Sequence, residues 1–102
     1  VNFDGTGTVA IRGNFNVNSI TDNGIGDYTV NITNALSDAN YAVVATTTHA
    51  SDNTNHPQCA ISVKYDVAPT TTSCRFRSGP SGGSGSIGFA LDTNYGMVAF
   101  FR

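Results

Sequence analysis

Apolar and polar residues alternate one by one in several short runs of this chain. Tyr28, Val30 and Ile32 alternate with Thr29 and Asn31. Since successive side chains of a strand point to opposite faces of its sheet, this alternation predicts a strand with one face in the core. Similar runs, some of them weaker, are Val9 and Ile11, Phe15 and Val17, Tyr41 and Val43, Ile61 to Val67, and Ile87, Phe89 and Leu91.

The residues between these runs are typical of turns. Asp4-Gly5, Asp22-Asn23-Gly24 and Asp92-Thr93-Asn94 supply positive φ angles or side-chain turn bonds. Glutamate is absent and Lys64 is the single lysine, so the usual residues of helix surfaces are scarce. The pattern predicts an all-β fold. We expect one domain over residues 1–102, an antiparallel, jelly-roll-like β-sandwich of about seven to nine short strands.

The charge of the chain argues against several partners. The formal net charge is -2 with five Lys and Arg residues, so a basic stripe for phosphate neutralisation is missing. Nucleic acid is therefore not an expected partner. No apolar run approaches the ~18 residues that a membrane span needs, so we expect no membrane insertion. Charged residues make up 12%, about half of the roughly 25% usual in soluble domains, so hydroxyls and amides must hydrate the surface.

The two cysteines are expected to be free thiols. If the residues around Pro69 form the turn of a hairpin, Cys74 lies opposite about position 66 of the partner strand. Cys59 is then too distant for a direct cross-strand disulfide.

Motifs that match known catalytic patterns lack their structural context. Residues 79–83 match G-x-S-x-G and residues 83–88 match G-x-G-x-x-G, but no helix can follow either glycine-rich stretch. We therefore expect no enzyme activity and no cofactor. His49, His56 and Cys59 are three candidate metal ligands with a spacing typical of no zinc motif, so we expect no metal site.

Two long polar segments interrupt the strand pattern, namely residues 48–58 and the glycine- and serine-rich residues 78–86. Long polar loops on a rigid β scaffold often carry binding, although the second segment is equally well read as a flexible connection. The candidate binding residues are His49, Asp52, Asn53, Asn55 and His56 for hydrogen bonds, and Tyr95 as a stacking face.

The last strand pattern, Val98 to Phe101, places apolar side chains on both faces of one strand. Such a strand is typical of a central position in a sheet or of a subunit interface, and an ordinary core strand in an unusual register is a third alternative.

Three stretches together resemble a known domain: residues 1–12 (VNFDGTGTVAIR), 19–33 (SITDNGIGDYTVNIT) and 37–44 (SDANYAVV). The chain is similar to a domain found at the C-terminal end of bacteriophage tail-fibre and other virion proteins. The likeness covers roughly the first half of the chain and the aromatic C-terminal strand. It implies a homotrimeric distal fibre domain on the virion surface, attached to the end of a longer protein.

The resemblance implies receptor binding during host attachment, with a surface glycan or an outer-membrane protein as the partner. A structural alternative is a decoration or connector domain that binds other virion proteins. A third possibility is a carbohydrate-binding module of a polysaccharide depolymerase.

Overall fold

The computed structural model describes residues 1–49, 59–80 and 90–102, and of His49 it describes only the backbone. Eight strands and no helix occur in these ranges, so no described segment could cross a membrane as a helix. The strands are β1 (Asn2–Asp4), β2 (Ala10–Gly13), β3 (Val17–Gly24), β4 (Asp27–Ile32), β5 (Ala42–His49), β6 (Cys59–Val63), β7 (Ser73–Pro80) and β8 (Thr93–Phe101).

The strands form two four-stranded antiparallel sheets that pack on each other. Sheet I has the order β2-β1-β8-β5, and sheet II has the order β3-β4-β7-β6. Hairpin partners lie side by side in β1-β2, β3-β4 and β6-β7, while the chain changes sheet after β2, β4, β5 and β7. The prediction of an all-β antiparallel sandwich is confirmed.

The core lies between the sheets and is built from the inward residues of the alternating strands. In β4, Tyr28, Val30 and Ile32 are buried, as their alternation predicts. The ring of Phe3 on β1 meets the ring of Tyr28 edge to face, with centroids 5.2 Å apart. This geometry suits the quadrupoles of two aromatic rings and ties sheet I to sheet II.

The apolar C-terminal strand β8 lies between β1 and β5, which is one of the positions that the sequence left open for it. Val98 is buried in the core, and Phe100 packs against it. On the opposite face, Phe101 keeps 56% of its surface exposed, beside Val44 of β5 with 62%. The described chain therefore leaves an apolar outer face on sheet I.

Some strand boundaries differ from the sequence prediction. The run from Ile61 to Val67 is strand only as far as Val63, because the chain turns at Lys64 and Val67 N donates to Lys64 O at 3.4 Å. Tyr65 therefore leaves the sheet. Phe15 is exposed because β3 begins two residues later, at Val17. Leu91 is not in a strand, and Ile87 and Phe89 lie outside the described residues.

Both cysteines are free thiols, as expected. Cys59 pairs with Pro80 on β7, whereas Cys74 pairs with Val30 on β4. Burial raises the pKa of both thiols, since a thiolate would lose hydration there.

Candidate binding end of the sandwich

The prediction that residues 48–58 and 78–86 interrupt the strands was wrong at their first residues, because Thr48 and His49 belong to β5 and Ser78 to Pro80 belong to β7. The residues that flank 50–58 and 81–89 lie at the same end of the sandwich, which we call the loop end. At this end β5 finishes with His49, which pairs with Thr93 at the start of β8. Cys59 at the start of β6 pairs there with Pro80 at the end of β7. The described residues that flank 50–58 and 81–89 therefore all lie at the loop end.

The C-terminus lies at the opposite end, and the N-terminus lies beside the middle of β8. The amino group of Val1 donates to Val98 O at 2.7 Å, and strand β8 runs from there to Phe101, away from the loop end. Phe101 pairs with Ala42, the first residue of β5. The antiparallel pairing thus separates the C-terminus from the loop end by the length of β8.

A buried hydrogen-bond network holds the loop end together. Oδ1 of Asp92 accepts from the Tyr28 hydroxyl at 2.8 Å and from Gly26 N at 2.8 Å. The same hydroxyl lies 3.1 Å from Gly5 O. Burial and the bond to Asp92 raise the pKa of the Tyr28 hydroxyl, so it stays protonated and can donate. The network joins three turns that are distant in sequence.

Ser78 fixes the chain that leads into β8. Its side chain is buried, and its Oγ donates to Leu91 O at 2.6 Å. Leu91 N donates back to Ser78 O at 3.1 Å, and Ser78 N donates to Gly26 O at 2.8 Å. These bonds fix the described residues on both sides of 81–89 relative to the sheets.

Thr93 fixes the other long segment in a similar way. Its buried hydroxyl donates to Thr48 O at 2.9 Å and bonds the hydroxyl of Thr47. Thr48 Oγ1 in turn accepts from Tyr95 N at 3.2 Å. The residues just before segment 50–58 are therefore bound to β8 by side chains as well as by the sheet ladder.

Tyr95, the predicted stacking residue, lies near the loop end on the outer face of sheet I. Its side chain is partly exposed, and the guanidinium of Arg12 lies 4.1 Å from the ring centroid. Arg12 also donates to Asp4 Oδ2 at 2.6 Å and to Asn94 Oδ1 at 3.1 Å. One face of the ring is thus occupied by a cation.

The sequence analysis did not select Arg12, Asp4 or Asn94 as site residues. Asp4 is also bonded by the backbone and hydroxyl of Thr6, which together with Arg12 hold the pKa of its carboxyl below the usual value. Its turn pattern, Asp4-Gly5, indicated the bond to Thr6 but not the approach of Arg12. The cluster forms only through pairing of β2, β1 and β8.

The other predicted binding residues have no described geometry. Asp52, Asn53, Asn55 and His56 lie outside the described residues, and of His49 only the backbone is described. Thr48, two residues before this segment, accepts a hydrogen bond from Tyr95 N at 3.2 Å, so the described chain leads to the segment from beside Tyr95. Among the described residues, no three His, Cys, Asp or Glu side chains are grouped as metal ligands would be.

Comparison of the chain with protein-family models, with curated proteins and with solved structures finds no match.

Proposed function

We propose that the protein is a non-catalytic attachment domain of a phage tail fibre that binds the host cell surface through the loop end. The observation that carries this proposal is that the described strand ends flanking residues 50–58 and 81–89 lie at one end of the sandwich, opposite the C-terminus. A domain held by its C-terminus would present the loop end away from its point of attachment. A rigid β scaffold with polar segments at one end is a common arrangement for recognition.

The chemistry of the loop end suits a hydrogen-bonding ligand. Segment 50–58 contains Asp52, Asn53, Asn55 and His56. Amides and imidazoles both donate and accept hydrogen bonds, as recognition of hydroxyl groups requires. A surface glycan or a polar patch of an outer-membrane protein would be such a ligand.

Self-association is a second part of the proposal. The outer face of sheet I carries Val44, Met97, Ala99 and Phe101 side by side, because Val44 pairs with Ala99 and β8 is central. Contiguous exposed apolar surface is typical of protein interfaces. A homotrimer on a virion would bury this face and present three loop ends together.

The structural alternative, binding to other virion proteins, is favoured by the same apolar face. It differs from receptor binding in one respect: it requires no ligand at the loop end. Cell binding by the isolated domain separates the two functions.

The experiment measures binding of the fluorescently labelled domain to a panel of bacterial strains, with its solution mass determined on the same sample. We expect saturable binding to some strains by a species of three chains. Replacing both Asn53 and Asn55 with alanine should reduce that binding about tenfold or more, since truncating central interface residues commonly has this effect.

The matched control replaces Asn18 and Asn40 with alanine, because both are exposed and lie towards the opposite end. This variant should bind as the unaltered domain does. Equal binding by both variants would remove segment 50–58 from the proposal. A folded trimer that binds no strain would favour the structural alternative.

A further inference from the structure

The turn between β3 and β4 lies at the loop end. The backbone of Gly26 in this turn accepts from Ser78 N at 2.8 Å and donates to Asp92 Oδ1 at 2.8 Å. Asn23 and Gly24 lead into the turn, and both are exposed. They form the single Asn-Gly dipeptide of the sequence. Solvent therefore reaches this dipeptide at the end of the sandwich to which we assign binding.

Asn23 lies outside the ladder that joins β3 to β4. Asp22 pairs with Tyr28 and Gly24 pairs with Asp27, so Asn23 is the extra residue of a β-bulge. Gly24 has a φ of +126°, and a Cβ there would meet nothing within 4 Å among the described residues. The backbone nitrogen that follows Asn23 therefore belongs to an uncrowded residue without a side chain.

The backbone and side-chain amides of this dipeptide are each held by a hydrogen bond. Gly24 N donates to Oδ1 of Asp22 at 2.9 Å. A carboxylate in this position can take the proton of the amide from which it accepts. Nδ2 of Asn23 donates to Thr29 Oγ1 at 2.9 Å, so the side-chain nitrogen is directed towards β4. The fold thus places a base on one reacting group and orients the other.

We propose that Asn23 is a site of self-catalysed deamidation, with Gly24 N as the nucleophile and Asp22 as the general base. Asp22 takes the proton of Gly24 N, and this nitrogen forms a bond to Cγ of Asn23. The bond between Cγ and Nδ2 then breaks. Ammonia leaves, carrying the two hydrogens of Nδ2 and the proton that Asp22 returns. The product is a cyclic succinimide between Asn23 and Gly24.

Water completes the reaction. It adds to either carbonyl carbon of the imide and opens the ring, which leaves aspartate or isoaspartate at position 23. Overall, an amide and water become a carboxylic acid and ammonia, without oxidation or reduction. The isoaspartate product carries the main chain through its side-chain carbon, so the backbone of the bulge becomes longer.

The modification changes the charge of the loop end. It adds one negative charge to a formal net charge of -2, and it removes the amide donor to Thr29. The new carboxylate follows Asp22 directly in sequence, so two like charges become neighbours. A change in ligand binding at the loop end as the protein ages would follow. That consequence rests on the function proposed above, whereas the chemical step does not.

Asn18 offers a comparison within the same strand. Its neighbours Val17 and Ser19 pair with consecutive residues of β4, so Asn18 also occupies a bulge, and it is exposed. The residue after it is serine, whose side chain crowds the backbone nitrogen, whereas Asn23 is followed by glycine. A bulge and exposure are therefore common to both sites, and the nucleophile is different.

The experiment stores the folded domain at neutral pH for several weeks and follows each asparagine by peptide mass spectrometry. We expect Asn23 to be converted at least about tenfold faster than Asn18. Peptides with aspartate and peptides with isoaspartate should both appear, because the imide opens at either carbonyl.

Asp22→Asn tests the general base. An amide oxygen can still accept from Gly24 N but is too weak a base to take its proton, so we expect conversion of Asn23 to slow by about tenfold or more. Asp38→Asn is the matched control. Asp38 makes the same kind of turn bond, accepting from Asn40 N at 2.7 Å, and its replacement should leave the rate at Asn23 unchanged.

Three results would overturn the proposal: an intact Asn23 beside a converted Asn18, aspartate without isoaspartate, or an equal rate in Asp22→Asn and Asp38→Asn. Freshly prepared Asn23→Asp, tested for binding to the bacterial panel, measures the effect of the new charge separately. Failure of the unaltered domain to bind any strain would count against the proposed function and leave the conversion of Asn23 measurable, so the two failures are distinguishable.

Discussion

The Tyr28 hydroxyl donates a hydrogen bond of 2.8 Å to Oδ1 of Asp92, a residue 64 positions further along the chain. Tyr28 is buried in β4 of sheet II, and Asp92 precedes β8 of sheet I. The bond therefore connects the two sheets at the end from which both long polar segments leave. Loss of this bond should weaken the attachment of the two sheets to each other at the loop end.

Replacing Tyr28 with phenylalanine tests this connection. The variant keeps the ring in the core but removes the donor to Asp92, so we expect the free energy of unfolding to fall by about 1–3 kcal/mol. Urea unfolding measures the change. Tyr65→Phe is the matched control, because the Tyr65 side chain is exposed. The free energy of unfolding of this variant should equal that of the unaltered protein. Equal stability of the Tyr28 variant would show that the hydroxyl contributes nothing.

Gly26 should not tolerate alanine. Its φ of +60° favours glycine, and a Cβ there would lie 2.6 Å from Ser78 O and 2.6 Å from Leu91 O. Both neighbours are backbone atoms that cannot swing aside. We expect a loss of stability of at least about 1–3 kcal/mol, measured as a lower unfolding midpoint.

The control for that variant is Gly13→Ala. A Cβ at Gly13 meets nothing within 4 Å, and its φ is not positive. Its stability should change by no more than about 0.5 kcal/mol. Similar losses in both variants would contradict the steric explanation.

Protonation of Asp27 in acid should lower the stability of the folded protein. Its bonds to Arg75 lower the pKa of the Asp27 carboxyl in the folded protein. The ionised carboxylate therefore stabilises the folded protein above the unfolded pKa of about 3.9, and this stabilisation is lost as the pH falls through the lower pKa of the folded state. Asp27→Asn should reduce the unfolding free energy by up to about 1 kcal/mol at neutral pH, since the pair is partly exposed.

The measurement compares chemical unfolding of Asp27→Asn and the unaltered protein at about pH 7 and about pH 3. The difference should shrink at the lower pH. Arg75→Gln and the double variant complete a cycle that isolates the pair. A difference that stays constant over this range would assign the effect to something other than the carboxylate charge.

The two thiols should differ in reactivity. Cys74 is 1% exposed and packs in the core, whereas Cys59 is partly exposed at the start of β6. A thiol-specific reagent should modify Cys59 first, and slowly, because burial raises its pKa. Cys74 should react only as the protein unfolds. Early modification in the Cys59→Ser variant would place Cys74 outside the core.

The strands were predicted well where the sequence showed both a clear alternation of apolar and polar residues and clear turn residues beside it. Strand β4 has the predicted buried residues, and β8 is central as its two apolar faces indicate. The pattern was wrong at Tyr65, because alternation continues in the sequence after the hydrogen-bonded ladder has ended. Whether the next apolar residue stays in a strand depends on a partner strand, and local sequence does not encode that partner.

By itself, the sequence determined the all-β class, the free thiols and the polar character of the long segments. These follow from the side-chain period of a strand, from the scarcity of helix formers and from residue chemistry. Only the tertiary structure decided which distant residues meet. Arg12 reaches Tyr95, and Ser62 lies beside Arg77, through strand pairing whose order and register are long-range properties. The loop end depends on such pairings, because a binding surface is assembled from strands that are neighbours in space and not in sequence.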